Sequence, residues 1–226
     1  MRWGQLAMMF LLVCSALCSA QNYTCQADVF ALDAYEKKPV VWSPDHSKHV
    51  QLFSTPFDDG NLSIYSGDAL LTNIVLEDVS AGTLIKWAPD STAVYVMWSD
   101  GGFIGAYHVL AFRVLNDRAI ESGAPKAVET DFARHHYCEA RGNNLYAIKW
   151  VDGSKELLLQ PEVYPTGDCG PQLGFTSGYL VDVDTAEVKE RYTASQMKKL
   201  AKGCPSKVFP GAFTSQEEVD KVLKNR

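Results

Sequence analysis

The sequence predicts an all-β fold: about three four-stranded antiparallel sheets packed in series, followed by a short helical tail. Three observations carry this reading. A Trp-centred stretch occurs three times, around Trp42, Trp87 and Trp150. Each Trp follows a short β-forming run and precedes a polar turn and a second apolar run. Each copy then continues into a third and a fourth run, bounded by turn residues.

In the first copy Val40 and Val41 lead to Trp42, Ser43-Pro44-Asp45 turns the chain, and "HVQLFS" (49–54) returns it. In the second, Leu84 and Ile85 lead to Trp87, Ala88-Pro89-Asp90-Ser91 turns, and "AVYVMWS" (93–99) returns. In the third, residues 145–148 lead to Trp150, Val151-Asp152-Gly153-Ser154 turns, and "ELLLQPEV" (156–163) returns. Pro fixes φ and Asp bonds back to the backbone, so these turns have a mechanism. Asp-Gly is itself a hairpin signal. The third runs are "NLSIY" (61–65), "YHVLAFRV" (107–114) and "GYLVDVD" (178–184); the expected fourth strands are "TNIVL" (72–76), "KAVET" (126–130) and "VKERY" (188–192).

Four strands in meander order are the unit of a β-propeller blade. The Trp residues are 45 and 63 apart. The first interval is blade-sized, and the excess in the second falls around residues 121–142. Propellers close with about four to eight blades; three are counted here, so the expected fold is an incomplete or small propeller-like stack. A fourth unit assembled from residues 23–34 and the C-terminal segment is the alternative. That segment, however, reads as helix: Thr193–Gln196 and Thr214–Glu217 have capping-box spacing before "QMKKLAKG" and "EEVDKVLKN". The expected division is 1–20 signal peptide, 21–192 propeller-like β domain and 193–226 helical tail.

The motifs "WSPD" (42–45) and "WAPDS" (87–91), with "YLVDVDTAEV" (179–188), resemble the WD40-like repeats of the bacterial Tol-system propeller protein and related periplasmic propellers. The resemblance spans about residues 40–192, and the third copy departs from it by lacking the Pro. It implies a propeller fold and protein binding, and it supplies no catalytic residue.

The first twenty residues read as a secretory signal: Arg2, an apolar stretch over 6–17, and Cys18-Ser19-Ala20 at the cleavage point. An exported protein, periplasmic or extracellular, is the expectation. Its four remaining cysteines allow three pairings. The reading favours Cys138–Cys169 and Cys25–Cys204 over a zinc site, because no close Cys pair is present. A net charge of −6 without a basic stripe excludes nucleic acid as a partner.

Candidate chemistry is sparse. "DFARHHYCEA" carries His135 and His136, and "DHSKH" carries His46 and His49; both are weighed as metal ligands against ordinary polar surface. No nucleophile elbow or phosphate-cradling loop is present. The aromatics Trp98, Phe103, Tyr107 and Tyr164 fall at strand ends and loops and are the candidate binding residues, since such side chains bury much area at low entropic cost. The repeated Trp residues are expected in the core. The functional expectation is an exported, non-catalytic binding protein with no cofactor, which uses its loops to meet a protein or cell-envelope component. A metal-dependent hydrolase at His135/His136, and a structural envelope protein that self-associates through open sheet edges, are the alternatives.

Overall fold

The computed structural model describes residues 40–53, 59–77, 79, 83–100, 106–136, 143–164 and 169–200. Twelve strands in these residues form three four-stranded antiparallel sheets, each a simple meander. The first contains β1 (Val40–Trp42), β2 (Lys48–Phe53), β3 (Gly60–Ser66) and β4 (Ala69–Leu76). The middle sheet contains β5 (Leu84–Trp87), β6 (Ala93–Ser99), β7 (Tyr107–Val114) and β8 (Ala119–Glu121). The third contains β9 (Asn143–Val151), β10 (Glu156–Val163), β11 (Ser177–Asp182) and β12 (Val188–Thr193). The fold is an incomplete, propeller-like, all-β stack.

The hydrophobic pattern explains the stacking order. Every residue of β6 is buried, as befits a strand covered on both faces. Val94, Val96 and Phe112 of the middle sheet pack with Val50, Leu52, Leu62 and Ile64 of the first. Tyr95, Met97, Val109 and Ala111, which alternate with them, pack with Trp150, Leu157 and Leu159 of the third. Period-two alternation thus sends one set of side chains to each neighbour.

The fourth run of the second copy departs from expectation. "KAVET" is not a strand but part of helix α1 (Ala124–Ala133). Pro125 sits in its first turn, where a missing N–H costs nothing. Ala124, Val128 and Phe132, spaced by four, form the buried stripe. The fourth strand of that sheet is instead the three-residue β8, and α1 packs against β7 and all four strands of the third sheet.

The helix expected after Thr193 is present as α2 (Ala194–Leu200). The Thr193 N–H donates to Gln196 Oε1 at 2.8 Å, and the Gln196 N–H reaches back to Thr193 Oγ1 at 3.4 Å. Met197 is buried against Gly178, where an added Cβ would overlap its sulfur. The helix lies on the face of the third sheet that points away from the middle sheet. Lys149, on the opposite side of β9 from its neighbour Trp150, donates through Nζ to the Leu200 carbonyl at 3.1 Å.

The Trp residues hold the sheets in register. Trp87 Nε1 donates to the Val41 carbonyl at 3.0 Å, and Trp150 Nε1 donates to the Lys86 carbonyl at 3.2 Å. In both cases the acceptor is the residue just before the Trp of the preceding sheet. Trp87 and Trp150 are core residues, as expected. Trp42 is not: it is 48% exposed, because no sheet precedes it among the described residues.

Candidate functional site

The stack has two unlike ends. At one, tight turns join the strands; at the other lie the longer connections over 54–59, 77–83, 100–106, 134–142 and 164–176. The turn end spends its polar groups on structure. The Asp45 N–H donates to Ser91 Oγ at 3.1 Å, and Ser154 Oγ donates to Asp90 at 2.6 Å, so each turn is tied to the next. Arg113 bridges the middle and third sheets through Ser154 Oγ, the Ser154 carbonyl and the Asp184 carboxylate, at 2.6–3.1 Å. Hydrogen bonds from Ser43 and Ser47 hold the Asp45 carboxyl far below the usual carboxylate range. Burial pushes Asp90 up, but hydrogen bonds from Ser154 and Thr92 and the Arg113 charge outweigh it, so it too is lowered. His46 and Ser91 take the same left-handed conformation after Pro-Asp, whereas Asp152 and Gly153 are both left-handed in the third turn, the Asp-Gly hairpin geometry.

The loop end holds a different kind of cluster. Glu162, near the end of β10, is 7% exposed. Its Oε2 accepts from Asn144 Nδ2 at 3.0 Å and from the Tyr146 hydroxyl at 2.9 Å, both on β9. Asn144 Oδ1 in turn accepts the Tyr107 N–H at 3.0 Å, which joins β9 to β7. The Tyr107 and Tyr146 rings meet at 5.1 Å. Tyr164 is buried two residues beyond Glu162. Burial pushes the Glu162 carboxyl up to about 7, because two hydrogen bonds offset only part of the desolvation. Burial, with Tyr164 nearby, pushes Tyr107 up to about 12. Tyr146 is raised well above the phenol range by burial and by Glu162 itself. Tyr107 and Tyr146 therefore keep their hydroxyl protons, and Glu162 is poised to exchange a proton near neutral pH.

The expected site residues are placed as follows. Trp98, Tyr107 and Tyr164 are buried rather than displayed in loops. Trp98 donates to the Glu77 carbonyl at 3.2 Å and lies against His108. Phe103 lies outside the described residues, as do Cys25, Cys138 and Cys204. Cys169 is disulfide-bonded to a residue beyond those described. His135 is exposed, and His136 stacks on Phe175 with ring centroids 4.0 Å apart. His46 is exposed beside Trp42, while His49 is stacked between Trp42 and Tyr65. These four histidines thus lie against aromatic rings, with Asp68 near enough to His49 to act on its charge, while His108 Nε2 lies 3.1 Å from Asp100 Oδ2. Among the described residues no group of three or more His, Cys, Asp or Glu is arranged to hold a metal.

Sequence reasoning passed over Glu162. The available signal was a single carboxylate inside the apolar run "LLLQPEV", where a charged residue is costly to bury unless it is paired or used.

No protein-family model matches the chain, and no curated protein matches it. Solved structures similar to the chain include two from Pyrococcus. One is the β-propeller domain of the trilobed protease from Pyrococcus furiosus, described as having an open velcro topology: TM-score 0.33, 13% identity, covering 64% of this chain and 38% of that one. The other is the acylaminoacyl peptidase of Pyrococcus horikoshii: TM-score 0.34, 16% identity, covering 65% of this chain and 23% of that one. The chain therefore matches well under half the length of either, and the likeness concerns fold. Both of these structures are described as peptidases, in contrast to the non-catalytic binder expected from the sequence. No helix among the described residues is long and apolar enough to cross a membrane.

Proposed function

We propose that the chain is a propeller-type module of a peptide-processing system, and that the Glu162 cluster at the loop end is its working site. The observation that carries this reading is the buried carboxyl itself. It sits in a largely apolar sheet, its proton is held up to about 7, and it accepts from the hydroxyl of Tyr146, whose ring lies against Tyr107. Such a group accommodates a cation: it gives up its proton when an ammonium approaches. The ammonium of a peptide N-terminus has this chemistry. The WD40-like assignment belongs to the same reading and is supported by the matching left-handed residues after Pro44-Asp45 and Pro89-Asp90.

The test is peptide binding followed by calorimetry at pH 6, where Glu162 holds its proton and a peptide N-terminus is an ammonium, with matched peptides carrying a free or an acetylated N-terminus. Free-amine peptides are expected to bind in preference and to release a proton, and Glu162→Gln to abolish the preference. Equal binding of the two peptides, or a preference unchanged in Glu162→Gln, sinks the reading. Hydrolysis of the same peptides, read by mass spectrometry, decides whether the module processes or only receives them.

A further inference from the structure

The contacts of the Glu162 cluster continue past Asn144 and Tyr146. Both of these residues meet Tyr107: Asn144 Oδ1 accepts the Tyr107 N–H at 3.0 Å, and the Tyr146 ring lies against the Tyr107 ring. Tyr107 is the first residue of β7, and its neighbours on either side are held by a different group. The Ala106 N–H donates to Asp100 Oδ1 at 2.6 Å, and the Asp100 N–H donates to the Ala106 carbonyl at 3.1 Å. His108 Nε2 lies 3.1 Å from Asp100 Oδ2. One carboxylate just beyond β6 thus clasps residues 106 and 108. The residue between them is the one that touches both donors to Glu162.

The clasp is placed to act by position rather than by charge. The Asp100 and His108 side chains are each more than a third exposed, so solvent screens their ion pair and it adds little stability by itself. What it fixes lies deeper: Ala106, Tyr107 and Asn144 are all at least nine-tenths buried. The His108 ring also lies against Trp98, whose indole donates to the Glu77 carbonyl, so the clasp is seated on a buried ring of β6. Coupling between groups travels through contiguous contacts of this kind, and a displacement at one end changes an equilibrium at the other.

We propose that Asp100 and His108 are positioning residues for the Glu162 site: their clasp holds Tyr107 in place, so that Asn144 and Tyr146 stay seated on the Glu162 carboxyl and water stays out. The inference rests on the reading of Glu162 as the working site, and Asp100 acts on it through Tyr107. Burial is the largest influence on the Glu162 proton and outweighs the bonds from Asn144 and Tyr146. Loosening β7 from β9 admits water, so its main consequence is a Glu162 carboxyl that loses its proton at lower pH. The site is then ionised before a cation reaches it, and binding no longer releases a proton.

The test follows the Glu162 carboxyl by carbon NMR in the full chain with labelled glutamate, titrated from about pH 4 to 9, its resonance assigned by its loss in Glu162→Gln. Asp100→Ala and His108→Ala are expected to lower the Glu162 midpoint, Asp100→Ala by about one pH unit or more because it releases both residues 106 and 108. Asp100→Asn removes the same charge but keeps an oxygen for the Ala106 N–H, and is expected to stay near the wild-type midpoint. Asp184→Ala removes an ion pair between the same two sheets at the turn end and is expected to leave the midpoint in place. Near-ultraviolet circular dichroism checks that each variant is folded, and His108→Ala decides the matter if Asp100→Ala is not. A midpoint unchanged or raised in the folded clasp variants overturns the proposal. So does a fall of equal size in Asp100→Asn or in Asp184→Ala. The readout needs no peptide: if free-amine peptides show no preference while the clasp variants still lower the midpoint, the ligand reading fails and the positioning role stands.

Discussion

Glu162 shows how much one buried carboxyl can shape the behaviour of the fold. Its proton is held up to about 7 in the folded chain, against 4.5 for the ordinary side chain. A raised value means that the folded state keeps the proton after the unfolded chain has lost it. Its contribution to stability is therefore fully present below about 4.5 and is lost as pH rises to about 7. The total swing is on the order of 3 kcal/mol. The lowered carboxyls, such as Asp45 and Asp90, act in the opposite sense at lower pH, so the comparison must be made against a variant. Glu162→Gln keeps the shape and both neighbours but has no proton to lose. The stability difference between wild type and variant, from urea unfolding, is expected to move towards the variant from pH 4.5 to 7 and then level off. A difference that stays flat across that window refutes the assignment. At this scale the sequence was least legible. Trp98, Tyr107 and Tyr164 were found as aromatic residues near loops, but their burial depends on which sheet lies beside them. Glu162 was hidden because the strand that holds it looked like uninterrupted core.

At the scale of elements, legibility was high wherever local pattern and packing agree. The three Trp–turn–strand units were readable because Pro-Asp and Asp-Gly fix the turns and alternation fixes the strands. The misread element, α1, is a case where sheet-forming residue types lie on a helical period. Val128 and Thr130 suggested a strand, while Pro125 and the spacing of Ala124, Val128 and Phe132 specified a helix. The expected core role of the repeated Trp failed at Trp42 for a reason no single repeat contains: its burial requires a preceding sheet. Where that sheet exists, the bond is testable. Trp87→Phe and Trp150→Phe each keep most of the buried ring and remove one indole donor to the Val41 or Lys86 carbonyl. Each is expected to cost about 0.5–1.5 kcal/mol in chemical unfolding, the usual net worth of one hydrogen bond. Similar costs at the two sites would support a repeated link. A negligible cost at either would show that ring packing alone sets the register.

For the whole molecule, the consequence of serial stacking is an uneven distribution of stability. Each sheet contacts only its neighbours, so the chain resembles a short repeat array whose stability is a sum over sheets and interfaces. The middle sheet has two interfaces, and its β6 is buried throughout. The third sheet shares a core with the middle sheet, α1 and α2. The first sheet is joined to the rest chiefly through the cluster around Leu62, Ile64, Trp87 and Phe112. Opening it alone costs only that one interface, whereas opening the middle sheet costs both. Hydrogen exchange should therefore rank the amides of β6 and β7 as slowest and those of β2 and β3 as faster, because local opening sets the rate where global unfolding is rarer. Leu62→Ala, fully buried in the first sheet's interface, should accelerate exchange in β2 and β3 and leave β10 and β11 little changed. Val96→Ala, in the middle sheet, should accelerate exchange throughout. If Leu62→Ala instead lowers protection equally in all three sheets, the stack unfolds as one unit. The first sheet would then be no more separable than the others.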